Sequence, residues 1–240
     1  MFKLYHNYDK VESVMIKTDE IFDPIDDISC GWVPNGTEVA ELAIISEMVV
    51  EKHMRYLSLL AGTVETVWPW LENDSVWMLV RLGFANDVSP DDAMSRLATN
   101  VTDAFRHGAS GVQVFVHYAD IPVFVEMMQK MRDDLFFERY FSIAINIDEI
   151  PSNDWTGVFE MLKKIRPNSI LILADGDSFN PKSDFLGRVY AMLEKWDLDF
   201  ALHIMFGKNM MRVSHVLRLV QKMQPKMMSE FRVFVIPPQE

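Results

Sequence analysis

Polar and ionisable side chains close a series of short apolar runs in this 240-residue sequence. They are Asn86, Asp87, His117, Asp120, Asn146, Asp148, Glu149, Asp175, Asp177, His203 and Lys208. Carboxylates and imidazoles are the groups that transfer protons and bind divalent metals in enzymes. If the runs are neighbouring parallel strands, their carboxyl ends lie at one edge of a sheet, where ligands usually bind.

Specific roles follow from these residue types. Asp148, Asp175, His117 and His203 are predicted to be catalytic acid–base groups, and the same four could bind a divalent metal such as Zn²⁺, Mn²⁺ or Fe²⁺. Asp148 and Asp175 would stand about 5 Å apart on neighbouring strands, so that one can stay protonated and act as a general acid. The residues predicted to bind or orient a substrate are Arg81, Asn146, Asp177 and Lys208.

A structural alternative stays open for the same residues. Buried Asp, His, Arg and Asn side chains can satisfy one another in an inert network, in which Arg81 would neutralise an acid. No HxH or HExxH spacing fixes any pair of the metal-ligand candidates. The chain also lacks a GxGxxG, a P-loop and a GxSxG motif, so no nucleotide cofactor is indicated.

One short run resembles a known catalytic motif. Ser142–Glu149 (SIAINIDE) is similar to the DxxDxDxE strand of family 18 glycoside hydrolases over eight of 240 residues. Ile150 stands where that family has its catalytic Glu, so the proton donor is missing. The resemblance therefore does not imply membership of that family.

The elements that must position these groups repeat from residue 77 onward. Each apolar run is followed by an amphipathic helix, and the run ends are spaced like βα units. The predicted strands are Trp77–Gly83, Gly111–Tyr118, Phe141–Asp148, Ser169–Asp175, Phe200–Phe206 and Phe231–Ile236. The predicted helices include one from Ser89 to His107 and others over Trp155–Ile165, Phe185–Trp196 and Met210–Met223.

The two faces of these strands differ in polarity. Alternate residues along a strand form two sets, or parities, that face opposite sides. One parity is apolar, as in Val112, Val114 and Val116, while the other contains Gln113, His117 and similar polar residues. A sheet covered by helices on both faces would be apolar on both parities. The pattern therefore predicts a single-domain parallel (β/α) barrel, TIM-like, with seven or eight strands and a polar mouth at the strand C-termini.

The first 76 residues are predicted to be an irregular, acidic part of the same domain, since no Pro/Gly/Ser-rich linker interrupts residues 1–240. Glu12–Lys17 and Ile28–Val33 are candidate strands, and Thr37–Ala61 is predicted to be one long helix. Val64–Leu71 is ambiguous because three bulky residues surround Pro69.

Charge and composition limit the partners. The net charge of −12 argues against nucleic acid. No apolar run is long enough to span a membrane, no signal peptide is indicated, and Cys30 alone cannot form an internal disulfide, so we expect a cytoplasmic protein. The 17 methionines mostly fit helix faces that cover a core, and an exposed patch of them would favour a homo-oligomer.

Two functions remain. The leading hypothesis is an enzyme acting on a small polar molecule, as a hydrolase, lyase or isomerase with a metal or acid–base centre. The alternative is a non-catalytic barrel that serves as a binding or assembly subunit. Its contact surface would be the acidic N-terminal part, where residues 1–76 hold 14 acidic and 5 basic residues.

Overall fold

Eight parallel strands close into a barrel in this computed structural model, which describes residues 28–84, 87–135, 139–173, 184–207 and 210–236. The strands are β1 Ser29–Trp32, β2 Tyr56–Leu60, β3 Trp77–Gly83, β4 Gly111–Phe115, β5 Tyr140–Asn146, β6 Ser169–Leu173, β7 Ala201–Gly207 and β8 Arg232–Val235. They pair in sequence order, and β8 closes on β1 in parallel. The TIM-like barrel predicted from the sequence is confirmed, with eight strands.

Helices connect the strands and cover the outside of the barrel. They are α1 Val39–Glu51, α2 Val64–Leu71, α3 Pro90–Arg106, α4 Ile121–Leu135, α5 Trp155–Ile165, α6 Phe185–Lys195 and α7 Met210–Met223. Short 3₁₀ turns lie at Ala61–Thr63, Tyr118–Asp120, Ile147–Glu149 and Pro225–Ser229. Among the described residues, no helix is long and apolar enough to cross a membrane.

Side chains alternate along each strand between the outside and the inside of the barrel, and they form two buried clusters. Outward residues such as Val112, Ile143 and Ile204 are fully buried in one cluster against the helices. Inward residues such as Tyr56, Leu79 and Phe234 form a second cluster inside the barrel. The polar parity identified in the sequence belongs to this interior, where Arg81, Gln113, Ser142 and His203 are buried.

The N-terminal third corrects one prediction. The helix predicted over Thr37–Ala61 ends at Glu51, where the N–H of His53 donates to Val50 and the N–H of Met54 donates to Val49. His53 adopts φ 52°, the left-handed conformation that commonly follows a helix end.

Tyr56–Leu60 therefore forms β2, although its apolar residues continue the helical spacing. Ile28–Val33 does contain a strand, β1, and Val64–Leu71 is helical with Pro69 inside it. Glu12–Lys17 lies outside the described residues.

The helix cap and the methionine packing predicted for the repeating βα part are also observed. Ser89 is the N-cap of α3, its hydroxyl accepting the N–H of Asp92 at 3.2 Å, and Pro90 takes the first helical position. Met127 and Met128 of α4 are buried, and Met223, Met227 and Met228 pack partly buried against the same core. These methionines fill the space between helices and barrel.

Candidate functional site

His203 lies deep inside the barrel instead of at its mouth. It is the third residue of β7 and only 1% exposed. Rings of Tyr56, Tyr140 and Phe234 surround its imidazole at centroid distances of 5.5, 6.3 and 5.6 Å. Because Tyr56 and Tyr140 begin their strands, this layer occupies the N-terminal half of the barrel. The prediction that His203 faces the C-terminal mouth is corrected here.

The His203 imidazole is held in its neutral form. Burial, with smaller contributions from the positive charges of Arg232 and Arg55, lowers its pKa to about 3. Its Nε2 lies 3.5 Å from the Tyr140 hydroxyl, and its Nδ1 has no hydrogen-bond partner within the described part of the chain. A neutral imidazole packed among rings is a structural element of the core.

His117 occupies the opposite end, just beyond β4. Its side chain is 72% exposed, and its Nδ1 lies 2.9 Å from Glu149 Oε1. The other oxygen, Oε2, accepts the backbone N–H of Tyr118 at 2.9 Å. The hydrogen bond and negative charge of Glu149 raise the pKa of His117 above its usual value. The result is an accessible imidazole oriented by a fixed carboxylate.

A second bond ties the same two loops together. The Tyr118 hydroxyl donates to the carboxylate of Asp154, the residue before α5, and this bond raises the pKa of the phenol. Tyr118 follows β4, whereas Glu149 and Asp154 follow β5. Two carboxylates from one loop therefore hold the other loop, which fixes the position of the histidine.

Asp148 lies at the same rim but faces α6. Its carboxylate Oδ1 is 3.6 Å from Arg188 Nε, with the two side chains 28% and 31% exposed. Arg188 Nη1 also donates to the carbonyl oxygens of Ile147, Asp148 and Ile150 at 3.3–3.5 Å. Asn146 accepts the N–H of Asp148 at 3.0 Å and so begins the 3₁₀ turn. The structure thus places Asp148 against a cation.

Arg81 projects into the barrel at the level of the mouth. Its Nη2 donates to the carbonyl of Val33, the residue that follows β1, and its guanidinium carbon lies 4.0 Å from the ring centroid of Trp32. The residue is 7% exposed, and burial lowers its pKa to about 10. Within the described residues no carboxylate lies within ion-pair distance of it. The described residues therefore do not include the acid that Arg81 would neutralise in the inert network.

Other interior polar groups form hydrogen bonds with one another. Ser58 donates to Gln113 Oε1 at 2.6 Å across β2 and β4, and Ser169 donates to Ser142 at 2.9 Å across β6 and β5. All four are fully buried. These bonds link buried polar groups inside the barrel, but they do not involve the Asp, His, Arg and Asn side chains of the inert network predicted as the alternative.

The inward positions nearest the strand C-termini are mainly apolar. Trp32 is 9% exposed, and several residues at this level are partly exposed and pack on the interior cluster. These are Phe115, Leu173, Met205 and Ile236. Leu60, opposite Arg81 in register, is also partly exposed. The inward residues at the mouth, called the funnel below, are therefore mainly apolar, and Arg81 and Asn146 are the inward polar residues among those that the structure describes.

The three proposed metal ligands that the structure describes are not brought together. His203 is deep in the barrel, His117 pairs with Glu149, and Asp148 faces Arg188. In the described ranges no group of three or more His, Cys, Asp or Glu residues could hold a metal ion. Asp175, Asp177, Lys208 and Asn86 lie outside the described residues, so their roles stay predictions.

Sequence reasoning did not assign roles to four residues of this end of the barrel: Trp32, Gln113, Glu149 and Arg188. Glu149 follows directly after a predicted strand, and this position was the available signal. Gln113 stood on the polar parity of its strand. Trp32 and Arg188 gave no sequence signal, since their contacts depend on how distant loops return to the mouth.

Comparisons with known proteins support the fold. A protein assigned as a deoxyribose-phosphate aldolase from Coccidioides immitis superposes with a TM-score of 0.66 at 11% identity, covering 88% of this chain and 81% of that one. Deoxyribose phosphate aldolase from Aeropyrum pernix gives 0.65 at 8% identity, with 89% and 86% covered. A protein assigned as a phosphonomutase from Burkholderia cenocepacia gives 0.58 at 7% identity, with 88% and 86% covered. At these identities the likeness shows the barrel fold alone.

Comparison at the level of sequence gives no family. No family model matches the chain, and no curated protein is significantly similar to it.

Proposed function

We propose that this protein is an enzyme that transfers protons on a small polar substrate at the C-terminal mouth of the barrel, in a lyase or isomerase reaction. The observation that carries the proposal is the His117–Glu149 pair, 2.9 Å apart at the ends of β4 and β5. Active sites of this fold are built from the loops that follow the strands.

The pair has the arrangement of an oriented general base. Glu149 engages Nδ1, which leaves Nε2 of the 72% exposed imidazole to face a substrate. The carboxylate is fixed in turn by the N–H of Tyr118. Neutral His117 can accept a proton from a substrate carbon or hydroxyl group, and Glu149 stabilises the imidazolium that forms.

The remaining predicted residues have supporting roles in this proposal. Arg81 and Asn146 orient the substrate from inside the funnel, whereas Asp148, held by Arg188, shapes the rim. Asp175 is proposed as the partner acid, with Asp177 and Lys208 as further substrate contacts. Aldolases and a phosphonomutase among the proteins of similar fold support carbon–carbon lyase or isomerase chemistry over hydrolysis.

A divalent metal is not required by this proposal. The three described members of the predicted ligand set lie in different surroundings, so they do not fit one metal ion. Asp148 and Asp175 with a substrate oxygen stay the ligands to examine if elemental analysis finds a metal.

Proton exchange tests the function without knowledge of the full reaction. Purified protein is incubated in D₂O with a panel of small hydroxy- and keto-acids, and deuterium incorporation at carbon is followed by NMR. We expect exchange with at least one compound, reduced at least about a hundredfold in His117→Gln. His107→Gln is the matched control. His107 also pairs with a carboxylate, that of Glu65 at 2.7 Å, but it lies at the C-terminal end of α3 and not after β4. Equal loss in both variants, or no loss in either, would contradict the proposal.

The second candidate is a non-catalytic binding or assembly barrel. The apolar lining of the mouth and the buried hydrogen-bonded Ser58–Gln113 and Ser142–Ser169 pairs favour it. Its acidic segment, Asp19–Asp27, lies outside the described residues. Absence of exchange with every compound, together with capture of a basic partner that is lost on deleting residues 1–27, would favour this function.

Three expectations from the sequence are kept as proposals: a single domain over residues 1–240, a cytoplasmic location and a homo-oligomer. The Aeropyrum pernix aldolase is described as tetrameric. Trp68, Trp70 and Trp77 are each about 40% exposed, which gives apolar surface for such contacts. Sedimentation of the purified chain decides the oligomeric state.

A further inference from the structure

Two buried nitrogen donors on neighbouring strands have no acceptor within the described residues. They are Nε of Arg81 on β3 and Nε2 of Gln113 on β4. The two residues are direct partners in the strand register. Arg81 is 7% exposed and Gln113 is fully buried. Buried donors are almost always hydrogen-bonded in native proteins, so an orphaned pair indicates an acceptor that comes from outside the fold.

No carboxylate among the described residues compensates the charge at this position. The face of the Arg81 guanidinium lies on Trp32, and Nη2 donates to the uncharged carbonyl of Val33. Desolvation is the cause of its lowered pKa, and no carboxylate contributes to it. A buried cation without a counter-charge destabilises the fold unless an anion binds beside it.

We propose that Arg81 and Gln113 bind the carboxylate of a small organic acid, an inference that rests on the proposed function and names its substrate class. One guanidinium balances one negative charge, which favours a monocarboxylate over a phosphate dianion. The edge of a guanidinium matches the two oxygens of a planar carboxylate. Gln113 contributes a neutral N–H, because its Oε1 is already engaged by Ser58 at 2.6 Å.

The side chains that line the funnel determine which carbon body the bound acid can have. Leu60 stands opposite Arg81 on the neighbouring strand, and Phe115 is partly exposed on β4. These side chains suit the short carbon body of an organic acid, whose far end then points out of the barrel. His117 lies beyond Phe115 at the end of the same strand, at the outer part of this path.

The test measures binding of three probes to the full chain by isothermal titration and thermal shift. Butyrate carries the proposed carboxylate, butyramide is its uncharged counterpart, and inorganic phosphate is the alternative anion. We expect saturable binding of butyrate, with butyramide and phosphate at least about tenfold weaker. Arg81→Met should weaken butyrate at least about tenfold, whereas Arg106→Met, which removes an exposed arginine on α3, should not.

Gln113→Glu provides an independent variant. It places a carboxylate on the strand position opposite Arg81, and this internal group should exclude butyrate and raise the melting temperature. Butyrate binding that survives both Arg81→Met and Gln113→Glu overturns the proposal, as does equal binding of butyramide. A protein that binds none of the probes, with waters alone at the two donors, overturns it as well.

Failure of this inference is distinguishable from failure of the proposed function. His117→Gln should keep the affinity for butyrate, because His117 does not touch the two donors. Butyrate binding without proton exchange on any substrate would leave the carboxylate site intact and remove the enzymatic proposal. Exchange that depends on His117 but not on Arg81 would support the enzymatic proposal and remove the carboxylate site.

Discussion

The imidazole of His203 lies nearly parallel to the ring of Tyr140, at an interplanar angle of 9° and a centroid distance of 6.3 Å, within the closed barrel. Both residues belong to the interior layer that also holds Tyr56 and Phe234. Protonating this histidine would bury a positive charge among rings, near Arg232 and Arg55. The fold therefore keeps His203 neutral, and this has a measurable effect on stability.

We predict that acidification destabilises the protein through His203. Its pKa is about 3 in the folded chain, against 6.5 for an unperturbed histidine, so the unfolded chain binds the proton first as the pH falls. Stability from this group is thus complete above about pH 6.5 and is lost toward pH 3, by about 1.4 kcal/mol per pH unit. Urea unfolding from pH 7 to 4.5 measures the slope.

His203→Phe removes this titration and keeps an aromatic ring in the layer. Its free energy of unfolding should therefore fall less steeply with acid than that of the wild type. Parallel curves for wild type and His203→Phe would show that the buried imidazole is not the acid-sensitive group.

A second prediction concerns His117. Because Glu149 raises the pKa of His117, Glu149→Gln should lower that pKa, as read from the chemical shifts of its ring protons during a pH titration. If neutral His117 is the base, the acidic limb of activity moves to lower pH in the variant, with a reduced maximum. Glu65→Gln, which removes a carboxylate that pairs with His107 and not with His117, should leave the His117 titration unchanged.

A third prediction concerns the energy of Arg81. Arg81→Met removes a charge-assisted bond to Val33 and a cation–π contact, together worth about 2–4 kcal/mol. It also removes a desolvation penalty of about 3 kcal/mol, from a pKa lowered to about 10. The two nearly cancel, so the free energy of unfolding should change by no more than about 1 kcal/mol in urea. A loss above about 3 kcal/mol would mean that Arg81 is primarily structural.

The barrel could be predicted from the sequence because the alternation of polar and apolar residues shows which face of a strand is covered by helices. Arg81, Gln113 and His203 stand on the polar parity, and all three are inside. The strand β2 was missed because its apolar residues continue the 3.6-residue spacing of α1, and because His53 instead of Gly takes the left-handed position after that helix.

The height of a side chain inside the barrel could not be read in this way. Strands in a closed barrel are tilted and staggered, so the same parity holds residues at both ends. His203 and His117 share a polarity pattern, yet one lies in the N-terminal layer and the other on the rim. The Asp148–Arg188 pair depends on the position of α6 against the turn after β5, which no local pattern encodes.

The last prediction separates a catalytic role of Asp148 from a structural one. Asp148→Asn should lower the free energy of unfolding by about 0.5–1 kcal/mol, since its ion pair with Arg188 spans 3.6 Å and is partly exposed. Arg188→Met should lower it more, because the bonds to three backbone carbonyls disappear as well.

A thermodynamic cycle of the two single variants and the double variant isolates the pair, with an expected coupling below about 1 kcal/mol. If Asp148 acts only by anchoring the turn, proton exchange falls in both single variants in proportion to the disturbed His117 position. If its carboxylate takes part in the reaction, Asp148→Asn abolishes exchange while Arg188→Met retains most of it. That second outcome would return Asp148 to the catalytic role predicted from the sequence.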